Sequence, residues 1–131
     1  MERSFRFPAT ADAPRLARHE LDGWLNDLLG PDRADDVRLL TTELITNAIR
    51  HGGVRGDDDI TLDVEASGAS VTIAVTQPTS PDGARMRLGD VEAPETGGFG
   101  LQLVDRLANE WGVDRGTPGS VWFGVLRSPA S

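Results

Sequence analysis

The chain reads as an α/β protein, a two-layer sandwich in which three helices cover one face of a mixed, mostly antiparallel sheet. Three observations predict it. Ile60, Leu62 and Val64, then Val71, Ile73 and Val75, alternate with more polar neighbours on either side of Ser67-Gly68, the pattern of a hairpin with one buried face. Residues 43–51 set Leu44, Ile45, Ala48 and Ile49 around one polar stripe on a helical wheel, which is how a helix buried almost all round reads. The elements then follow in the order strand, helix, helix, two strands, helix, two strands, so helices and sheet share one core.

In chain order, Arg3, Phe5 and Phe7 alternate with Glu2, Ser4 and Arg6 as a short strand, and Pro8 ends it. Asp12 or Ala13 opens a helix with Pro14 in its first turn. Leu21, Trp24, Leu25 and Leu28 continue it at spacings of three and four, and Gly30-Pro31 stops it. A second helix spans about Asp32 to Arg50 and ends at His51-Gly52-Gly53. After the polar turn 54–59 comes the hairpin. Residues 78–97, with Pro78, Pro81, Pro94, Gly83 and Gly89, form a loop too long to be a plain connection in a compact domain, and such loops are commonly lids or binding loops. A third helix is expected from Gly98 or Phe99 to Trp111, then strands at 112–114 and 121–127 around Gly116-Thr117-Pro118-Gly119. No repeat or low-complexity segment interrupts residues 1–131, which read as one domain.

Composition narrows the function. The net charge is −8, which opposes nucleic-acid binding, a process that rests on basic residues meeting phosphates. All 13 basic residues are arginine, so neither a P-loop lysine nor a Schiff-base lysine exists. There is no cysteine, hence no disulfide framework and no thiolate metal site. No apolar run reaches the length of a membrane span and no signal-peptide pattern opens the chain, so a cytoplasmic protein without a membrane partner is expected. An acidic chain that binds a polyphosphate needs a divalent cation, helix N-termini or a few placed arginines.

The most informative stretch is 43–53, Glu-Leu-Ile-Thr-Asn-Ala-Ile-Arg-His-Gly-Gly. Glu43, Asn47 and His51 are four residues apart and stack on one helix face among Leu44, Ile45, Ala48 and Ile49. Burying a carboxylate and an amide is costly unless something pairs with them, and a metal ion or polar ligand is a natural partner. Glu-x-x-x-Asn-Ala-x-x-His-Gly resembles the N box of the GHKL ATPases, and Thr96-Gly97-Gly98-Phe99-Gly100-Leu101 resembles the G2 box of the anti-sigma-factor serine kinases in that superfamily. The resemblance covers roughly residues 5–127 and implies the GHKL ATPase fold, magnesium and ATP as cofactors, an anti-sigma-factor antagonist and a sigma factor as partners, and a homodimer.

By that resemblance Glu43 is the general base that polarises an attacking hydroxyl, and Asn47 is the magnesium ligand. Magnesium keeps several waters and needs only one or two protein oxygens beside phosphate oxygens. Residue by residue, plainer readings stand beside these. Glu43 could pair with Arg38 or Arg50, and Asn47 could bond a neighbouring carbonyl, although asparagine is a poor residue for a helix interior. His51 suits the dipole at a helix C-terminus better than a ligand role, and a zinc site would lack partners beyond His19. Gly98, Gly100 and Leu101 open the third helix, where free N–H groups bind anions, or they form an ordinary turn. Arg85 and Arg87 in the lid read as solvated surface residues. Ser120 matches a small hydroxyl residue near the adenine, or is a turn serine.

One position departs from the resemblance. Where the family has an adenine-binding aspartate after the second hairpin strand, this chain has Gln77, and no Gly-x-Gly follows. Two functions are therefore expected from different classes. One is an ATP-dependent serine kinase of the anti-sigma-factor type. The other is a non-catalytic module with the same fold that has lost tight ATP binding and acts only by sequestering a partner.

Overall fold

The computed structural model describes residues 1–51, 59–76, 99–114 and 120–126. The elements are β1 (Glu2–Pro8), α1 (Ala13–Leu21), α2 (Leu25–Leu29), α3 (Pro31–His51), β2 (Asp59–Ser67), β3 (Ser70–Thr76), α4 (Phe99–Leu107), β4 (Glu110–Asp114) and β5 (Ser120–Leu126). The strands form one five-stranded sheet in the order β1-β2-β3-β5-β4, and every pairing is antiparallel. The two-layer α/β architecture is the one the alternating and helical patterns predict.

Register places the apolar alternation of each strand on one face. Leu62 lies opposite Val75, Val64 opposite Ile73, Ile73 opposite Phe123 and Val75 opposite Val121. These side chains are buried, and the helices supply the facing half of the core through Ala13, Ala17, Leu21, Leu25, Leu29, Val37, Leu40, Ile45 and Val104. α3 is the centre of that layer, with contacts to α1, α2, α4, β3 and β5. Its 21 residues give a rod of about 30 Å at 1.5 Å per residue. No helix among the described residues is long and apolar enough to cross a membrane.

Two boundaries differ from the expected ones. The single helix expected from Asp12 to Leu28 is two helices, α1 and α2. Asp22 turns to an extended conformation (φ −69°, ψ 153°) and Gly23 takes φ +94°, a region open to glycine because it has no Cβ. The stripe survives the break: Leu21 and Leu25 are both fully buried, so the apolar spacing continues through a bend that the backbone itself does not share. The helix expected to reach Trp111 ends at Leu107. Asn109 N–H donates to the Gly124 carbonyl, and Trp111 joins β4 opposite Phe123, its indole donating to the Asp105 carboxylate at 3.0 Å. An apolar residue four beyond Leu107 fits a continuing helix and a strand equally well, and the pairing with β5 decides it.

Candidate functional site

The polar stripe of α3 begins at its N-terminal end. Asp36, Glu43 and Asn47 are spaced i, i+7 and i+11, one line along a helix. Leu40, Leu44, Ile45 and Ala48 are buried, so this line borders the face that α3 turns to the core. Glu43 and Asn47 are each half-buried, and neither makes a hydrogen bond or ion pair with another described residue. The structural pairing of Glu43 with Arg38 does not form. Arg38 donates instead to Asp22 Oδ1 at 3.0 Å, Asp35 Oδ1 at 2.8 Å and Asn26 Oδ1 at 2.6 Å, fastening α1 and α2 to α3. A carboxylate and a carboxamide, one turn apart, thus stand partly out of water with no hydrogen-bond partner among the described residues.

Arg33 fixes the same line at its other end. Its guanidinium donates to Asp36 Oδ2 at 2.8 Å, to the Leu107 carbonyl at 3.0 Å, to Asn109 Oδ1 at 2.6 Å and to the Leu126 carbonyl at 3.1 Å. The last turn of α4 and the end of β5 are held to α3 by this one side chain, which is only 16% exposed. The planar fork of arginine suits several acceptors at once, which the lysine ammonium would not. Sequence reasoning missed Arg33, because three of its four partners lie 74 to 93 residues away and no local pattern points to them.

Gly100 and Leu101 lie in the first turn of α4, which starts at Phe99. Ser120 begins β5 opposite Thr76, the residue before Gln77, and it alternates with Trp122 rather than with the core-facing Val121. Gln77, Gly98, the lid 78–97 with Arg85 and Arg87, and the turn 52–58 lie outside the described residues. No three His, Cys, Asp or Glu side chains converge as a metal cage among the described residues. The fold therefore brings Glu43 and Asn47 together on α3 and sets Gly100 and Leu101 at the start of the helix packed beside it.

A family profile, the histidine kinase-like ATPase domain, matches residues 7–122. The chain belongs to the histidine kinase-like ATPase family. The match runs from the end of β1 into β5, so the α3 stripe and the start of α4 both fall within the histidine kinase-like ATPase domain. Among curated proteins none matches the chain. The fold is similar to that in the crystal structure of the RsbU and RsbW domains of Rv1364c from Mycobacterium tuberculosis, with a TM-score of 0.71 and 20% sequence identity, over 99% of this chain and 34% of that one. This chain thus spans about a third of the length of that solved chain.

Proposed function

We propose that this histidine kinase-like ATPase domain is an ATP-dependent protein-serine kinase of the anti-sigma-factor type, which phosphorylates an anti-sigma-factor antagonist and sequesters a sigma factor. The observation that carries the reading is the pair Glu43 and Asn47, one turn apart on α3, half-buried and without a partner among the described residues, at the positions where the N box has its base and its metal ligand. A free carboxamide oxygen fits magnesium, which takes hard oxygen donors and leaves most of its coordination to water and phosphate. Bound there, magnesium would neutralise charge on the phosphates of ATP.

The remaining steps belong to the chain's own residues. Glu43 accepts the proton of the attacking serine hydroxyl as its oxygen bonds to the γ-phosphorus. The bridge oxygen between the β- and γ-phosphorus leaves with ADP. Asn47 orients the metal with its carboxamide oxygen. The N–H groups at the start of α4, reached through Gly98 and Gly100 and followed by Leu101, receive phosphate oxygens that the helix dipole favours. Gln77 offers its amide to the adenine amino group. Ser120 takes no step in this account, because its alternation with Trp122 sets it on the side of the sheet away from α3. A homodimer in the cytoplasm is the working form that the anti-sigma branch implies.

Gln77 favours a second reading, in which the same fold binds partners without transferring phosphate. Incubating the protein with γ-labelled ATP, magnesium and a serine-bearing antagonist separates the two. The kinase reading expects label on the antagonist's serine. Sequestration of a sigma factor with no label transferred, and no ATP bound, would establish the second.

A further inference from the structure

The side of the sheet away from the helices has an organisation that the nucleotide reading does not use. Register lines up two rows straight across the five strands on this open face. One runs Ser4, Asp63, Ala74, Trp122, Gly112, and the next runs Glu2, Glu65, Thr72, Gly124, Glu110. Ala74 and Thr72 hold the central strand of the two rows, and the carboxylates Asp63, Glu2, Glu65 and Glu110 stand on the strands outside it. Glu2 and Glu65 are directly opposed across β1 and β2, a like-charge pairing that disfavours the free sheet. None of Glu2, Asp63, Glu65 and Glu110 forms an ion pair among the described residues. The only cations in the five strands are Arg3 and Arg6, both on β1.

Trp122 gives this face an aromatic floor. Its ring lies across the neighbouring strand over Gly112, so close that a Cβ on Gly112 would sit 2.6 Å from the indole nitrogen. The indole is half-buried and is not among the side chains packed on the core, whereas Trp24 and Trp111 are. Leu126, 52% exposed, extends the apolar strip along β5. On the β1 side the face dips into a depression of about 410 Å³ lined by Glu2, Asp63, Glu65, Thr72 and Ala74 and by one cation, Arg3, so three carboxylates face a single guanidinium.

We propose that this open face docks a basic segment of a partner protein, whose arginine or lysine side chains pair with Glu2, Asp63, Glu65 and Glu110 while one of them stacks on Trp122. Charge complementarity selects the occupant. A second copy related by a two-fold axis would set the same carboxylates against themselves, since such a contact uses one patch on both subunits. A nucleic acid or an anionic lipid surface would be repelled. A guanidinium between Glu2 and Glu65 removes their repulsion, and cations favour the face of an indole. Strands in a sheet are about 4.8 Å apart, so Asp63 lies about 10 Å from Trp122, within the span of a few residues of extended peptide. The inference stands apart from the kinase reading, because α3 packs on the opposite side of the sheet and no nucleotide is involved.

Fluorescence titration of the full chain with a nona-arginine peptide, at physiological ionic strength and without nucleotide, tests it. The double variant Asp63→Arg/Glu65→Arg should weaken binding at least tenfold. The control Asp27→Arg/Asp32→Arg makes the same change in net charge at exposed positions on α2 and α3, and should weaken it less than threefold. Trp122→Phe should remove the emission change and keep the thermal midpoint within a few degrees. Equal weakening by both double variants would mean diffuse attraction and overturn the proposal. So would a protein that sediments as a dimer, shields Trp122 from a soluble quencher before peptide is added, and dissociates on Glu65→Arg, since a second copy would then own the face.

Discussion

The two halves of α3 treat their polar residues in opposite ways. In the first half the two arginines that reach other elements are fully paired. Arg33 makes four hydrogen bonds, and Arg38 ties Asp22, Asn26 and Asp35. In the second half Glu43 and Asn47 are half-buried with no described partner, and the hydroxyls of Thr41 and Thr42 are buried without a hydrogen bond. Unpaired buried polar groups cost folding free energy, so a helix that satisfies one half and leaves the other open is spending stability on something other than its own packing. The first half holds the scaffold, and the second half carries the residues that the proposed nucleotide site would use.

The largest effect that sharpens this contrast is chemical. Glu43→Ala should keep ATP binding and lower phosphate transfer to a serine-bearing antagonist by about 10²–10⁴-fold, the usual contribution of a general base, which acts on the transition state. Transfer at the wild-type rate would place Glu43 outside the mechanism. In the other half, Arg33→Ala should remove the guanidinium partner of the Leu107 and Leu126 carbonyls and of Asp36, leave Asn109 Oδ1 with only the Leu126 N–H, and destabilise the fold by about 2–4 kcal/mol, lowering the melting midpoint by on the order of 10 °C. Arg33→Lys should recover little of this, because it lacks the fork. A melting curve unchanged by Arg33→Ala would remove the scaffold role of the first half.

Gln77 permits a finer test. Aspartate accepts the adenine amino group through a charged oxygen, and glutamine through a neutral one that is a methylene further out. The difference is on the order of 1–2 kcal/mol, or about 5–30-fold in affinity. Gln77→Asp should therefore tighten ATP binding by that factor and improve selection against GTP, as read by titration with both nucleotides. No change would mean that adenine is read elsewhere. The smallest expected effect belongs to Thr41, which is fully buried with its hydroxyl unpaired. Thr41→Val keeps the shape, removes the orphan, and should stabilise by about 1 kcal/mol, raising the midpoint by about 2–5 °C. A fall would mean that a water or ligand uses that hydroxyl.

What the sequence made legible follows the range of the interactions involved. The hairpin was readable to its turn because alternation and Ser67-Gly68 are local signals, and Gly68 indeed takes φ +57°. That Glu43 and Asn47 share one face of a helix was readable because four residues is about one helical turn. The break at Gly23 was not, since apolar spacing is blind to a bend that keeps Leu21 and Leu25 buried. The end of α4 is set by Arg33, Asn109 and Gly124, whose contacts join residues far apart in the chain. The same holds for Trp122, whose position over Gly112 comes from pairing between β4 and β5.

The central claim, that the open half of α3 is a magnesium-nucleotide site, is tested most directly by calorimetric titration of ATP into the wild type and Asn47→Ala, each with magnesium and with EDTA. One carboxamide oxygen on the metal predicts saturable one-to-one binding by the wild type in magnesium, weaker by about tenfold for Asn47→Ala, with the two proteins alike in EDTA. Equal losses for Asn47→Ala in both buffers, or no heat of binding for the wild type in either, would contradict it.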